Sequence, residues 1–335
     1  MTPTVVVTSI NPPTEAMQAL ARQSMASDHN FIVIGDAKSP ADFHLEGCRF
    51  LRLDEQYETG FLLAEICPKN HYARKNIGYL LAIHEQAGLI IDTDDDNLPR
   101  DGFFEPRQRV VRVGAVDANN WINVYAYFTT AKIWPRGLPL DAVDNVWQSY
   151  EQLVIEELDC PIQQGLADEN PDVDAIYRLI LPLPQSFLKD RQVALKAGSW
   201  CPFNSQNTTW WPDAYPLLFL PAYCSFRMTD IWRSFVAQRI AWENGWCVLF
   251  HEPTVWQDRN PHDLMRDFAD EVPGYLNNRN IAQQLGALSI QEGPDNIPDN
   301  MRLCYEQLVR MALIGSEELE LLEAWLADLA SAPEQ

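Results

Sequence analysis

The stretch that most constrains this chain is LIIDTDDDN, residues 89–97, where three apolar residues run straight into four carboxylates with one threonine among them. Such a run predicts a buried strand, and its abrupt acidic end predicts a cation site. If the backbone stays extended past Ile91, the side-chain period of two sends Asp92, Asp94 and Asp96 to one side and Thr93 and Asp95 to the other. Carboxylates about 6 Å apart repel by on the order of 2–3 kcal/mol per pair at an effective dielectric of roughly 20. A divalent cation with oxygen ligands offsets that repulsion. Mg²⁺ or Mn²⁺ suits one or two carboxylates whose shell is completed by substrate phosphates.

Competing readings of the stretch can be weighed against its neighbours. A calcium-binding EF-hand loop starting at Asp92 requires glycine at its sixth position and glutamate at its twelfth. Those positions hold Asn97 and Phe103, and a strand precedes them, so that reading fails. Three others stand: an aspartyl-phosphate phosphatase with Asp92 as nucleophile, a solvated acidic turn, and an Asp-x-Asp site whose metal bridges the diphosphate of a nucleotide sugar.

With 335 residues, 47% of them hydrophobic, the chain has ample material for a core. Its formal net charge of -22 repels nucleic acids and anionic bilayers, so no nucleic-acid partner is expected. An anionic ligand therefore needs local positive charge. The seven cysteines are odd in number and form no C-x-x-C pair, which argues against zinc and against a disulfide framework. The opening Met1-Thr2-Pro3-Thr4 lacks a basic n-region, and no apolar run is long enough to span a bilayer. The expectation is a soluble, cytoplasmic protein without a membrane span, with peripheral association left open.

VVVTSIN (5–11) reads as a short strand, with Asn11 capping a helix that has Pro12 at its first position and Met17, Leu20 and Ala21 on its buried stripe. FIVIGD (31–36) is a second apolar strand, and strand, helix, strand opens a parallel α/β sheet. Ligands bind at the carboxyl ends of such strands, which singles out Thr8, Ser9 and Asp36 beside the acidic run. ARKNIGYLLAIHEQAG (73–88) is an amphipathic helix with Arg74 and Lys75 in its first turn, where the dipole is already positive. A docked diphosphate would make that arrangement favourable. His84, on the apolar stripe, reads as a core histidine.

Residues 101–123 alternate loosely, as short antiparallel strands do. Trp134-Pro135-Arg136-Gly137 is expected on a turn before a helix carrying Val143, Val146 and Trp147, and residues 162–179 as a polar loop returning to a strand. PFNSQNTTW (202–210) places Asn204, Gln206 and Asn207 beside aromatics, a composition that suits sugar hydroxyls and ring faces. FRMTDIWRSFVAQRIAWENG (226–245) is a second strong helix with Asp230 in its first turn, either a dipole partner or a base projecting into a cleft. WCVLF (246–250) is a strand, and the loop after it carries His251 and His262, of which a late-loop histidine can complete a carboxylate metal site. The chain ends in helices over 300–313 and beyond a cap at Ser316.

The segments IVIGDAKSP, ARKNIGYLLAIH, LIIDTDDDN, IWPRGLPL, IQQGL followed by PDVDAIY, PFNSQNT and RMTDIWRSFVAQR, in order from 32 to 239, resemble the STELLO glycosyltransferases. The chain is more distantly similar to the reversibly glycosylated polypeptides that act as UDP-arabinopyranose mutases. The resemblance implies an α/β fold of GT-A type, a Rossmann-like mixed central sheet flanked by helices, over 1–260, with a helical extension over 261–335. It also implies a nucleotide-diphospho-sugar donor, a UDP-sugar first among them, and a glycan, lipid-linked or protein acceptor. Mn²⁺ or Mg²⁺ would be held by Asp94 and Asp96. Two departures are a plant-type membrane anchor, absent here, and a histidine replaced by Trp256, which leaves His262 as the histidine ligand. Thr8, Ser9 and Asp36 would receive the base and ribose, with Asp95 or Asp92 contacting the nucleoside or shaping the turn, Arg74, Lys75 and Arg136 would face the diphosphate, Asn204, Gln206 and Asn207 the sugar or acceptor, and Asp230 would serve as base. The alternatives are a nucleotide-sugar mutase acting without an acceptor and a non-catalytic sugar-nucleotide-binding scaffold.

Overall fold

The computed structural model describes residues 2–258 and 263–333. Within them eleven strands form one mixed sheet. They are β1 (Thr4–Thr8), β2 (Asn30–Ile34), β3 (Arg49–Leu51), β4 (Ile90–Thr93), β5 (Asn97–Pro99), β6 (Val110–Val116), β7 (Val154–Asp159), β8 (Ile162–Asp168), β9 (Gln192–Leu195), β10 (Asn207–Trp210) and β11 (Val248–Gln257). Their spatial order is β3-β2-β1-β4-β10-β8-β11-β9-β6-β7, with β5 paired to β11. The run β3-β2-β1-β4 is parallel, and β10 is antiparallel to both its neighbours. This is the Rossmann-like α/β arrangement expected from the sequence. The apolar runs VVV, FIVI and II are buried because helices cover both faces of the parallel half.

Helix α1 (Glu15–Ala26) crosses from β1 to β2, but Asn11 does not cap it. Thr14 does, its hydroxyl accepting from Met17 N at 3.1 Å, while the Asn11 amide donates to Asp95 instead. Helices α2 (Leu53–Tyr57) and α3 (Leu62–Ile66) lead to α4 (Lys75–His84), which lies against β1 and β2. Gly78 permits that approach: a Cβ there would meet Val6 Cγ1 at 2.7 Å and Ile34 Cγ1 at 2.9 Å.

The middle of the chain departs from the sequence reading in three places. Residues 101–123 supply one strand, β6, antiparallel to β7 and parallel to β9. The helix expected around Val146 and Trp147 is only the turn Leu140–Ala142, and both side chains are exposed. Its carbonyls are engaged elsewhere: Asn123 bonds Asn145 O through its backbone N and Val143 O through Nδ2. Residues 162–179 form the buried strand β8 followed by α5 (Ala175–Ile180), capped by Asp174 through Tyr177 N at 2.7 Å. The glutamines of β8 stay inside because Gln163 and Gln164 donate to backbone carbonyls.

Helices α6 (Thr229–Glu243), α7 (Leu264–Gly286), α8 (Ile297–Arg310) and α9 (Glu318–Ala330) complete the fold. Glu317, not Ser316, precedes the first turn of α9. Ile281, Leu285, Met301 and Trp325 share one apolar cluster with Trp232, Phe235 and Val6, so α7–α9 build on the sheet's own core. Among the described residues no helix is long and apolar enough to cross a membrane.

Candidate functional site

The carboxyl ends of β1, β2 and β4, the loop 204–206 and the start of α6 enclose a cleft of about 450 Å³. The acidic run divides as it enters. Asp92, still in β4, is fully buried between Lys75 Nζ (2.6 Å) and Arg233 Nη1 (3.0 Å). It cannot act as the nucleophile of a phosphatase, since no substrate reaches it. After Thr93 the chain turns, and Asp94, Asp95 and Asp96 all border the cleft.

Each of the three has a different setting. Asp94 Oδ1 accepts from the Tyr72 hydroxyl at 2.7 Å and from Lys75 Nζ at 3.1 Å. Burial nevertheless pushes its carboxyl above the usual range, against the pull of Lys75 and Tyr72. Asp95 Oδ2 accepts from the hydroxyl of Ser9 and, at 2.9 Å, from Asn11 Nδ2, which fastens the turn to the end of β1. Asp96 accepts from Gln257 Nε2 at 3.2 and 3.1 Å. Lys75 is the internal counterion of the run: burial alone would lower its pKa, but Asp92 and Asp94 hold it above the ordinary value. Its ammonium also donates to Thr93 O at 2.6 Å and Ser205 O at 3.3 Å, so it is fixed behind the cleft and does not line it.

Arg74 does not line the cleft either. Its guanidinium is buried and donates to Gln56 Oε1 and Cys67 O, each at 2.8 Å, on the far side of the helix start. The first-turn cations thus have structural partners, which corrects the expectation that both meet a diphosphate. Among the cleft-lining side chains, Lys38 is an exposed cation at the rim. Thr8 and Ser9 border the cleft with Asp36, whose Oδ1 accepts from Ala37 N (2.6 Å) and Oδ2 from His71 N (2.9 Å).

On the opposite wall Arg136 lies between two carboxylates. Its Nε and Nη2 donate to Asp172 at 2.8 and 2.9 Å, and its Nη1 and Nη2 to Asp230 at 3.0 and 2.7 Å. Burial would raise the Asp172 carboxyl, but Arg136 overrides it and holds it down at about 2. Asp230 accepts further from Ile231 N at 3.0 Å and Ser205 N at 3.4 Å. Both Arg136 and Asp230 border the cleft, yet the guanidinium is already neutralised, so it offers little net charge to a diphosphate.

Asn204 and Gln206 line the cleft, Asn204 donating to Asp172 Oδ2 at 2.8 Å and Gln206 to Asn97 Oδ1 at 3.3 Å. Asn207 does not. Its amide is turned into the sheet, donating to Leu166 O and Thr254 Oγ1, because Gly165 opposite leaves room for it. His262 lies outside the described residues. Sequence reasoning missed Tyr72, Asp172, Phe226, Arg227 and Gln257, all of which border the cleft. Asp172 and Arg227 stood inside the motifs PDVDAIY and RMTDIW; Gln257 gave no signal, being the last residue of a strand.

Among the described residues no three His, Cys, Asp or Glu side chains converge into a ready metal cage. Asp94 and Asp96 each bring a carboxylate to the cleft, the kind of oxygen donor that could hold Mg²⁺ or Mn²⁺.

The model of the family described as STELLO glycosyltransferases matches residues 227–333, from the start of the α6 motif to the end of α9. Two curated proteins of Arabidopsis thaliana are similar along most of the chain. "Probable glycosyltransferase STELLO2" is 29% identical over 354 aligned positions, covering 97% of this chain and 44% of that protein. "Probable glycosyltransferase STELLO1" is 31% identical over 272 positions, covering 75% of this chain and 35% of the other. The chain thus spans less than half the length of either relative. The crystal structure of a mycobacterial protein aligns over 83% of this chain and 74% of its own at 10% identity, with a TM-score of 0.42. By the family match and both relatives, the chain belongs to the STELLO glycosyltransferase family.

Proposed function

We propose that this chain is a metal-dependent glycosyltransferase of GT-A type, moving a sugar from a nucleotide-diphospho-sugar, first among them a UDP-sugar, to a glycan, lipid-linked or protein acceptor. One observation carries the reading. Asp94 and Asp96 turn into the cleft where β1 and β2 end, while Asp92 is withdrawn into an internal ion pair. Strand ends of this kind are where α/β sheets take nucleotides, and Thr8, Ser9 and Asp36 form that wall.

In this reading Asp94 and Asp96 hold Mn²⁺ or Mg²⁺, which when bound offsets the charge of the diphosphate leaving group. Lys75 fixes the orientation of Asp94 from behind and makes the acidic turn stable before any ligand arrives. Among the described residues, Lys38 at the rim is an exposed cation open to the donor. Asn204, Gln206 and Asp172 offer amide and carboxylate groups to sugar hydroxyls. For an inverting displacement Asp230 takes the proton of the acceptor hydroxyl, and Arg136 keeps that carboxylate in place until one of its own contacts lengthens.

The test is thermal denaturation with UDP, GDP, ADP and their sugar conjugates, with Mn²⁺ and with chelator, on the wild type and Asp96→Ala. A nucleotide at 100 times its dissociation constant stabilises by about 2.7 kcal/mol. A shift that needs metal and vanishes in Asp96→Ala is the expected result. A wild type that no nucleotide shifts with metal present would remove the reading.

A further inference from the structure

Phe226 is the exposed aromatic ring of the cleft. Most lining side chains are acidic or amide, and two large apolar ones stand exposed among them, Ile10 and, with 54% of its surface exposed, this ring. It stands in the short turn Phe226–Met228, nearly perpendicular to His71 (75°, centroids 6.0 Å apart) and Tyr72 (76°, 6.2 Å). Tyr72 in turn donates to Asp94, and Asp230 follows Phe226 by four residues. The ring is therefore one aromatic neighbour from the proposed metal carboxylate and a short step from the proposed base.

The turn is clamped. Ser225 Oγ donates to the carbonyl of Asp270, and Arg227 donates to Glu271 Oε1 through Nε at 3.0 Å and Nη2 at 2.9 Å. Met228 lies against Gly274, where a Cβ would come within 2.3 Å of its sulfur. All three partners belong to α7. Glu271 is itself fully buried and also accepts from Ala175 N (2.7 Å) and the Tyr275 hydroxyl (2.6 Å). A single exposed phenylalanine on a mobile loop would call for no explanation. Here the residues on either side of the ring make three tertiary contacts, which fix its place at the cleft.

We propose that Phe226 is the stacking platform of an acceptor subsite, taking the apolar face of a neutral pyranose ring, and that α7 positions it through Glu271 and Arg227. The proposal rests on the glycosyltransferase reading above. A sugar ring has one face of C–H groups and a rim of hydroxyls, and the platform meets the first while Asp172 and Asn204 can meet the second. A neutral ring suits these surroundings: Arg227 is offset by Glu271 and Arg136 by Asp172 and Asp230, and the exposed Lys38 is the cation assigned above to the donor.

The experiment pairs two readouts on the wild type, Phe226→Ala and Phe226→Trp. Calorimetric titration of UDP, GDP and ADP with Mn²⁺ reports the donor site. Saturation-transfer NMR with a panel of methyl pyranosides, and with glucose 1-phosphate as the anionic control, reports the subsite with nucleotide and Mn²⁺ present. The expected result is glycoside signal in the wild type and in Phe226→Trp, a fall of about five-fold or more in Phe226→Ala, unchanged nucleotide binding, and no signal from the phosphate. Equal glycoside signal in Phe226→Ala, no glycoside signal in the wild type, or preference for the anionic control overturns the subsite alone. Nucleotide binding weakened by Phe226→Ala would move the ring to the nucleobase and overturn it as well. Absence of nucleotide binding in the wild type overturns the donor reading, and the subsite with it.

Discussion

Asp92 Oδ1 lies 2.6 Å from Lys75 Nζ and its Oδ2 lies 3.0 Å from Arg233 Nη1, and no side chain of the three is more than 1% exposed. The pair of cations ties three elements together: β4, the first turn of α4 and the middle of α6. Of the acidic run Asp92 alone is fully buried between two cations, while Asp94, Asp95 and Asp96 border the cleft with partners of their own. Removing one partner of a buried ion pair leaves an uncompensated charge at about 3–5 kcal/mol. Arg233→Met should therefore lower unfolding free energy by about that amount in a urea titration, and Lys75→Met by a similar amount. A loss below about 1 kcal/mol would mean that water reaches the site and the anchor is weak.

Arg136, held between Asp172 and Asp230, separates two roles that the sequence left together. If Asp230 is the base, Asp230→Asn keeps the shape of the wall and the nucleotide affinity, and lowers turnover by about 10²–10⁴-fold. Donor hydrolysis or transfer can be followed by release of the nucleoside diphosphate. A loss under about ten-fold would leave Asp230 a holding role around Arg136 and point to a retaining reaction.

The N-terminal parallel half and the acidic turn were legible because each rests on local pattern: VVV, FIVI and II are continuous apolar runs, and DTDDD has no apolar rationale. What was not legible depended on partners distant in the chain. Arg74 and Lys75 look alike in sequence, and only Cys67, Gln56, Asp92 and Asp94 decide that both are counterions or braces within the fold. Asn207 reads as a sugar ligand beside Asn204 until Gly165 is seen opposite it. Helix α7 carries Pro273 and Gly274, ordinary breakers, and its glycine is there because Met228 packs against it.

Gly78 offers a direct test of how α4 sits on the sheet. A methyl group there would press on Val6 Cγ1 at 2.7 Å and Ile34 Cγ1 at 2.9 Å, both side chains fully or almost fully buried. Alanine ordinarily favours a helix over glycine by about 1 kcal/mol. Here overpacking of about 1–3 kcal/mol opposes it. Gly78→Ala is expected to lower the melting temperature despite the better propensity, and a rise would show that α4 stands further from β1 and β2 than described.

Glu318 gives the fold a pH dependence of defined sign. It is fully buried at the start of α9, where Oε2 accepts from Ala222 N at 2.8 Å and Tyr223 N at 2.6 Å, and Oε1 has no hydrogen-bond partner among the described residues. Burial pushes its carboxyl up to about 7, against the two backbone donors. An unfolded glutamate titrates near 4.5, so the folded chain holds this proton more tightly. The stability it confers is complete below about pH 4.5 and is lost as the pH rises through about 7. At about 1.4 kcal/mol per pH unit the loss across that window is on the order of 3 kcal/mol. Glu318→Gln keeps an oxygen for the two backbone groups and cannot ionise. Its urea-unfolding curve should come closest to the wild type near pH 5 and below, and be the more stable of the two at pH 8. Asp174, buried and raised to about 6, acts in the same direction in both proteins and cancels from the difference. Two curves that stay parallel from pH 5 to 8 would mean that Glu318 is ionised in the folded chain and that something other than a carboxylic acid satisfies Oε1.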